Sequence, residues 1–308
     1  MAAVLLALLD AHPDGPAWAR PWLARMLAAH LPGYRSIEPV RARAGDQSGD
    51  QSGDQPGDQS DETVGGDSDL TLRGWSVGAA WGNETLVQSR PIVRGRAVDP
   101  LDDLLRTPAS CVLAAFSVHS ATRDGLVAPP AVKLSRARRW LGVRVGGRLD
   151  PERTTALRDA LPGFLSRHQV DRSDGELVFL SFLAELHRLG GLRKTYSPPD
   201  VIRQALTQTA DRLELVPPHN MMVSDGRTFA MLHQGGELLS FEPPPDPTQS
   251  TRFRVTGGPD DGRRTNLLLH SPAASTVAPQ HGGERVAQGA FSLDVRRPRG
   301  IERSSPTE

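Results

Sequence analysis

The sequence predicts an α+β fold of packed layers. Three observations carry that prediction. Apolar runs with strand character occupy both ends of the 308-residue chain. The three longest helical stretches are grouped between residues 150 and 213. No strand leads into a G-x-G-x-x-G turn, which sets aside a dinucleotide-binding doubly wound sheet.

Taken in order, Val4–Leu9 reads as a buried strand. A secretory signal is the other reading of this run, but no basic segment precedes it, and Asp10 and His12 close it. Pro21–His30 has helical spacing through Trp22, Leu23, Met26 and Leu27, and Pro32-Gly33 closes it. Leu72–Trp81 is a strand containing Gly74 and Gly78. Asp99–Arg106 is a short helix, Cys111–Val118 a central strand and Trp140–Val145 another strand. A helix over Asp150–Leu165 starts with an Asp cap and Pro151. Asp174–Leu189 carries an apolar stripe of Leu177, Phe179, Leu180, Leu183 and Leu186, stopped by Gly190-Gly191. Pro199–Leu213 is the next helix. Strands follow at Asn220–Val223, Thr228–His233, Leu238–Phe241, Thr265–His270, Arg285–Gln288 and Ala290–Val295. Ser224-Asp225-Gly226 turns the first two into a hairpin.

Charge and composition narrow the function. There are 36 basic and 36 acidic side chains, so binding to nucleic acid by bulk charge is not expected. The balance is uneven along the chain. Asp46–Asp69 holds eight acids and no base, and its Asp46–Asp61 part is an Asp-Gln-Ser/Pro-Gly repeat; without the tract, 36 bases face 28 acids, a body of +8. That tract has almost nothing apolar to bury and reads as a solvated, disordered insertion at about 43–69. It lacks the apolar positions that calcium-binding repeats pack inside a coil. The segment 296–308 reads as a disordered tail. No apolar run approaches the ~18 residues of a membrane span, and the expected location is the cytoplasm. The lone Cys111 excludes an intramolecular disulfide framework and a cysteine-cluster metal site, and the histidines lack metal spacing, so no cofactor is expected.

Five stretches in order carry a resemblance. They are Met1-Ala2-Ala3-Val4-Leu5-Leu6-Ala7, Gly74-Trp75-Ser76-Val77-Gly78, Val112–Thr122, Ser173-Asp174-Gly175-Glu176, and His219-Asn220-Met221-Met222-Val223-Ser224-Asp225-Gly226. Together they resemble the class II glutamine amidotransferases, of the N-terminal-nucleophile hydrolase fold. The resemblance implies a single domain over 1–295, a four-layer αββα sandwich. It also implies hydrolysis of the glutamine side-chain amide by an N-terminal cysteine whose own α-amine serves as base.

At the positions the resemblance assigns to chemistry, the residues differ from the family pattern. Ala2 stands at the nucleophile position, and a methyl group cannot attack a carbonyl; losing a nucleophile costs ~10⁶ in turnover. Cys111 lies inside an apolar run and reads as a small buried hydrophobe. The oxyanion Asn maps to Gly146, and only Gly147 keeps its identity, a loss worth ~10²–10³ in rate. The carboxylate-binding Arg maps to His119, with Arg123 close enough to substitute. Asp174, the family's contact to the substrate ammonium, is kept, although Ser173 and Asp174 also suit a helix cap. The expectation is therefore an amidotransferase-like protein without glutaminase activity. It would hold an amino-acid or γ-glutamyl ligand through His119, Arg123, Gly146, Gly147 and Asp174, or pair with a synthetase-like or transferase partner. The alternative is an active amidohydrolase with another nucleophile.

Overall fold

Strands whose side chains alternate between two faces build two antiparallel sheets with an apolar layer between them. The computed structural model describes residues 2–9, 23–24, 27–28, 70–81, 84–91, 99–106, 109, 111–120, 132–194, 196–215, 217–241, 266–271, 284–285, 287–294 and 302–303. The acidic tract, Arg123, most of the expected first helix and most of the tail lie outside the described residues.

The first sheet joins β1 (Ala2–Leu9), β2 (Leu70–Trp81), β3 (Glu84–Pro91), β4 (Cys111–Ser120), β9 (Glu237–Phe241), β10 (Asn266–Ser271) and β11 (Glu284–Arg285). Their order is β11-β9-β10-β1-β4-β2-β3. β1 lies in its interior, antiparallel to β4 and β10, with Ala2 opposite Val118 and Leu6 opposite Leu269. The second sheet runs β13-β12-β8-β7-β6-β5. Its strands are β5 (Ser135–Ala137), β6 (Trp140–Gly146), β7 (His219–Ser224), β8 (Thr228–Gln234), β12 (Gly289–Asp294) and β13 (Glu302–Arg303).

Leu5, Ala7, Cys111, Leu113 and Ala115 of the first sheet meet Leu141, Val143, Met222, Phe229 and Met231 of the second in one buried cluster. By strand alternation, Leu6, Trp75, Val112, Ala114 and Phe116 point to the opposite face of the first sheet, and they are buried too. Gly78 leaves room between the sheets, since a Cβ there would approach Leu134 Cδ2 to 2.5 Å.

The other face of the second sheet carries Trp140, Met221, Val223, Ala230 and Leu232. It packs against α4 (Asp174–Arg188) and α5 (Pro199–Arg212). Trp140 meets Phe182 edge-on, with centroids 5.6 Å apart. The expected helix over 150–165 is two pieces, α2 (Pro151–Ala160) and α3 (Gly163–Ser166). Pro162 lacks the amide proton that would continue the first helix, so a new turn starts after it. The short expected helix is α1 (Pro100–Arg106). β3, β5 and β13 were not expected, and β13, paired with β12, falls in the stretch read as a disordered tail. β3 is an edge strand whose Glu84, Leu86, Gln88, Ser89 and Arg90 are exposed, so it lacks a clear apolar alternation, and β5 is three residues long. Among the described residues, no helix is long and apolar enough to cross a membrane.

Candidate functional site

Hydrogen bonds between elements bring most of the sequence-selected positions to one end of the sheets. Arg136 Nη1 donates to Thr85 O (3.0 Å), and Thr85 Oγ1 donates to Arg138 O (3.2 Å), so the β5–β6 turn sits beside the start of β3. Val132 N donates to Ser117 Oγ (3.1 Å), so the chain enters β5 from the opposite end. β6 therefore finishes, at Gly146, at the end of the sandwich where Ala2 pairs with Val118. The amide of Leu149 donates to Asp174 Oδ2 (2.9 Å), which fixes the start of α4 at the same end.

Gly146 and Gly147 are joined to this end through Arg144. That buried side chain donates from Nη2 to Gly147 O (2.6 Å) and from Nε to His219 Nδ1 (3.2 Å). Gly146 pairs with His219 across β6 and β7. A Cβ at 146 would lie 3.0 Å from both Arg144 Nη2 and His219 Nδ1, so the guanidinium occupies the space a side chain would need. Burial lowers the Arg144 pKa, and the Asp174 carboxylate acts against that shift. Burial, followed by the charge of Arg144, pushes His219 down to about 3, so its imidazole is neutral near pH 7.

On the sheet face toward the first sheet, Asn220 and His233 form a second buried polar pair. Asn220 Oδ1 lies 2.7 Å from His233 Nδ1 and accepts from Gln234 N (3.1 Å), and Nδ2 donates to Gly235 O (2.9 Å). Each polar atom of this amide already has a partner, so Asn220 clamps the open end of the β7–β8 hairpin.

Asp174 is the first residue of α4, behind the cap in which Ser173 Oγ accepts from Glu176 N (3.1 Å). Glu176 in turn accepts from the amides of Val170 (2.7 Å), Asp171 (3.1 Å) and Arg172 (2.9 Å), which pins the loop before the helix. Both acids thus fasten backbone. His119 lies in β4 opposite Thr71, on the other sheet, and Arg123 is outside the described residues. Cys111 is free and buried, and burial raises its thiol to about 12, so no thiolate forms near neutral pH.

Arg144, His219, Asn220 and His233 were not among the sequence-selected ligand residues. A signal for three of them was present. With Ser224 paired to Phe229 around the Asp-Gly turn, counting outward sets Asn220 opposite His233 and His219 opposite Gln234. Nothing in the string of residues marks Arg144 as folding back over a glycine two positions later.

No family model matches the chain, and no curated protein matches it. Its structure is similar to chains of the class II glutamine amidotransferase kind. A glutamine aminotransferase class-II domain protein from Silicibacter pomeroyi is 14% identical, with a TM-score of 0.43; the match covers 72% of this chain and 87% of that one. The glutamine phosphoribosylpyrophosphate amidotransferase from B. subtilis, complexed with ADP and GMP, is 10% identical, with a TM-score of 0.47. That match covers 99% of this chain but 50% of the other, so this chain spans about half of its length. A predicted glutamine amidotransferase from Pseudomonas aeruginosa is 11% identical, covers 78% and 90% of the two chains, and has a TM-score of 0.41.

Proposed function

We propose that this chain is a class II glutamine amidotransferase-like protein without glutaminase activity, acting as a ligand-binding, regulatory or assembly module. The reading rests on the five ordered sequence landmarks together with the residues at the reactive positions. One observation carries the loss of activity, the absence of a nucleophile. The position assigned to the oxyanion-binding amide is Gly146, where a Cβ would lie 3.0 Å from Arg144 Nη2. Ala2, at the position assigned to the nucleophile, has no thiol or hydroxyl, and the one thiol of the chain is buried between the sheets.

In this reading the two sheets are the inner layers of an αββα sandwich within a domain over 1–295. The outer cover of the first sheet includes α1, which contacts β2 and whose Leu101 and Leu104 are buried. The location is the cytoplasm, and the ligand is an amino acid or γ-glutamyl compound bound near His119, Arg123, Gly146, Gly147 and Asp174. A synthetase-like or transferase protein is the partner class for the assembly role.

The test is direct. Purified protein incubated with glutamine releases no ammonia above a boiled control; release above it overturns the proposal in favour of an amidohydrolase with another nucleophile. Intact mass spectrometry then asks whether internal cleavage exposes a Ser or Thr. Isothermal titration with glutamine, glutamate and γ-glutamyl peptides shows saturable heat if the ligand role is correct. Silence with all of them leaves the assembly role.

A further inference from the structure

We propose that the helix-facing end of the second sheet is an oxyanion-binding site in which the neutral imidazole of His219 is the donor. The proposal concerns the sheet face opposite the intersheet cluster and does not rest on the amidotransferase-like reading.

Because Arg144 Nε–H donates to His219 Nδ1, the imidazole proton is on Nε2. That Nε2–H is buried, and among the described residues nothing accepts from it, although His219 is only 1% exposed. A buried donor without an acceptor is costly, and an entering oxygen removes the cost. Arg144 adds the charge. It is 8% exposed and makes no ion pair with a described residue. Asp174 acts on it from beyond ion-pair distance while its Oδ2 accepts the Leu149 amide. A buried guanidinium without a paired carboxylate favours an anion beside it. Its bond to Nδ1 also polarises the ring and strengthens Nε2–H as a donor.

Gln234 completes the arrangement. It lies directly opposite His219 across β7 and β8, and its Oε1 is buried without a partner. A side-chain amide with no hydrogen bond of its own can turn over and offer Nε2–H, so the same anion receives donors from both strands. Gln234 is half-buried and is the side chain that moves to admit it. The chemistry common to the fitting ligands is an oxyanion, either a carboxylate or a phosphate.

The experiment is long-range ¹H–¹⁵N NMR of the histidine rings in the full-length protein, titrated separately with acetate and with inorganic phosphate. His219 is expected as the Nε2–H tautomer, with a saturable shift that the other histidines do not share. A response to acetate alone assigns a carboxylate site, and a response to phosphate alone a phosphate site. Arg144→Gln weakens the apparent affinity at least tenfold. Gln234→Glu tethers a carboxylate beside His219, so its spectrum matches the acetate-bound state and no longer responds to acetate, while circular dichroism shows an unchanged fold. Three results overturn the proposal. One is the Nδ1–H tautomer. Another is a shift that never saturates or is shared by all the histidines, which means an adventitious ion only. The third is a Gln234→Ala variant that perturbs His219 while neither anion does, which means Gln234 alone is its partner.

Discussion

His219 connects stability to pH in a direction that its neighbours determine. Its folded pKa of about 3 lies below the ordinary 6.5, so the unfolded chain binds the proton first as pH falls. Stability from this group is complete above pH 6.5 and declines toward pH 3, by about 1.4 kcal/mol per pH unit. Urea unfolding of the wild type and of His219→Gln across that range checks it: the wild type loses stability more steeply, by the equivalent of about one proton. Gly142 supports a second expectation at this scale. A Cβ there would strike the ring of buried Phe179 on α4, so Gly142→Ala costs ~1–3 kcal/mol, measurable as a lower urea midpoint. These properties are also where the sequence was least informative. Ala2 and Asp174 could be selected by their place in ordered landmarks, and Gly146 from the stretch between two of them. The closure of Arg144 over Gly146 depends on a three-dimensional fit between side chains twisted together on β6 and β7, and no local pattern encodes it.

Elements were easier to read, for physical reasons visible in particular cases. α4 announces itself through the Ser173 cap, the apolar stripe and the stop at Gly190, which adopts a φ of 75°. The β7–β8 hairpin follows from its Asp-Gly turn, with Gly226 at a φ of 79°. β3 stayed hidden because an edge strand with an exposed face needs no apolar alternation. α4 and α5 are further joined by a buried carboxylate. Glu185 accepts from Arg188 Nε and from Arg212 Nη1, each at 2.7 Å. Burial alone would raise the Glu185 pKa, but the hydrogen bonds and charges of Arg188 and Arg212 bring it below the ordinary 4.5. Its contribution is therefore present above pH 4.5 and fades as pH falls through the depressed value. Since both arginines are more than half exposed, solvent screening limits the effect. Glu185→Gln should cost ~1–2 kcal/mol at pH 7 and markedly less in strong acid, as read by thermal or urea unfolding.

At the scale of the whole molecule, the intersheet layer decides what the lone thiol can do. Cys111 is enclosed by both sheets and its thiol is raised to about 12, so a thiol reagent reaches it only after the layer opens. Labelling under native conditions should proceed at the rate of global opening. It should accelerate together with unfolding in Phe229→Ala, a truncation in the same cluster worth ~3–5 kcal/mol. Rapid labelling of the intact native protein would show that the layer is not closed around this position.

The two sheets also differ in where along the chain their strands come from. β5 to β8, with α4 and α5 against them, are drawn from one stretch, Ser135–Gln234. The interior of the first sheet instead sets β1 against β10, joining Ala2–Leu9 to Asn266–Ser271. During synthesis, the β5–β8 part of the second sheet can therefore assemble as soon as residue 234 clears the ribosome, before β12 and β13 are made. β1 must then wait, paired on one side only with β4, until more than thirty further residues have emerged. Closing so long a loop is slow, and β1 is enclosed late although it is made before the strands of the second sheet. Nascent chains arrested when residue 240 has just left the exit tunnel should accordingly show β6–β8 amides protected from exchange while β1 stays open to protease.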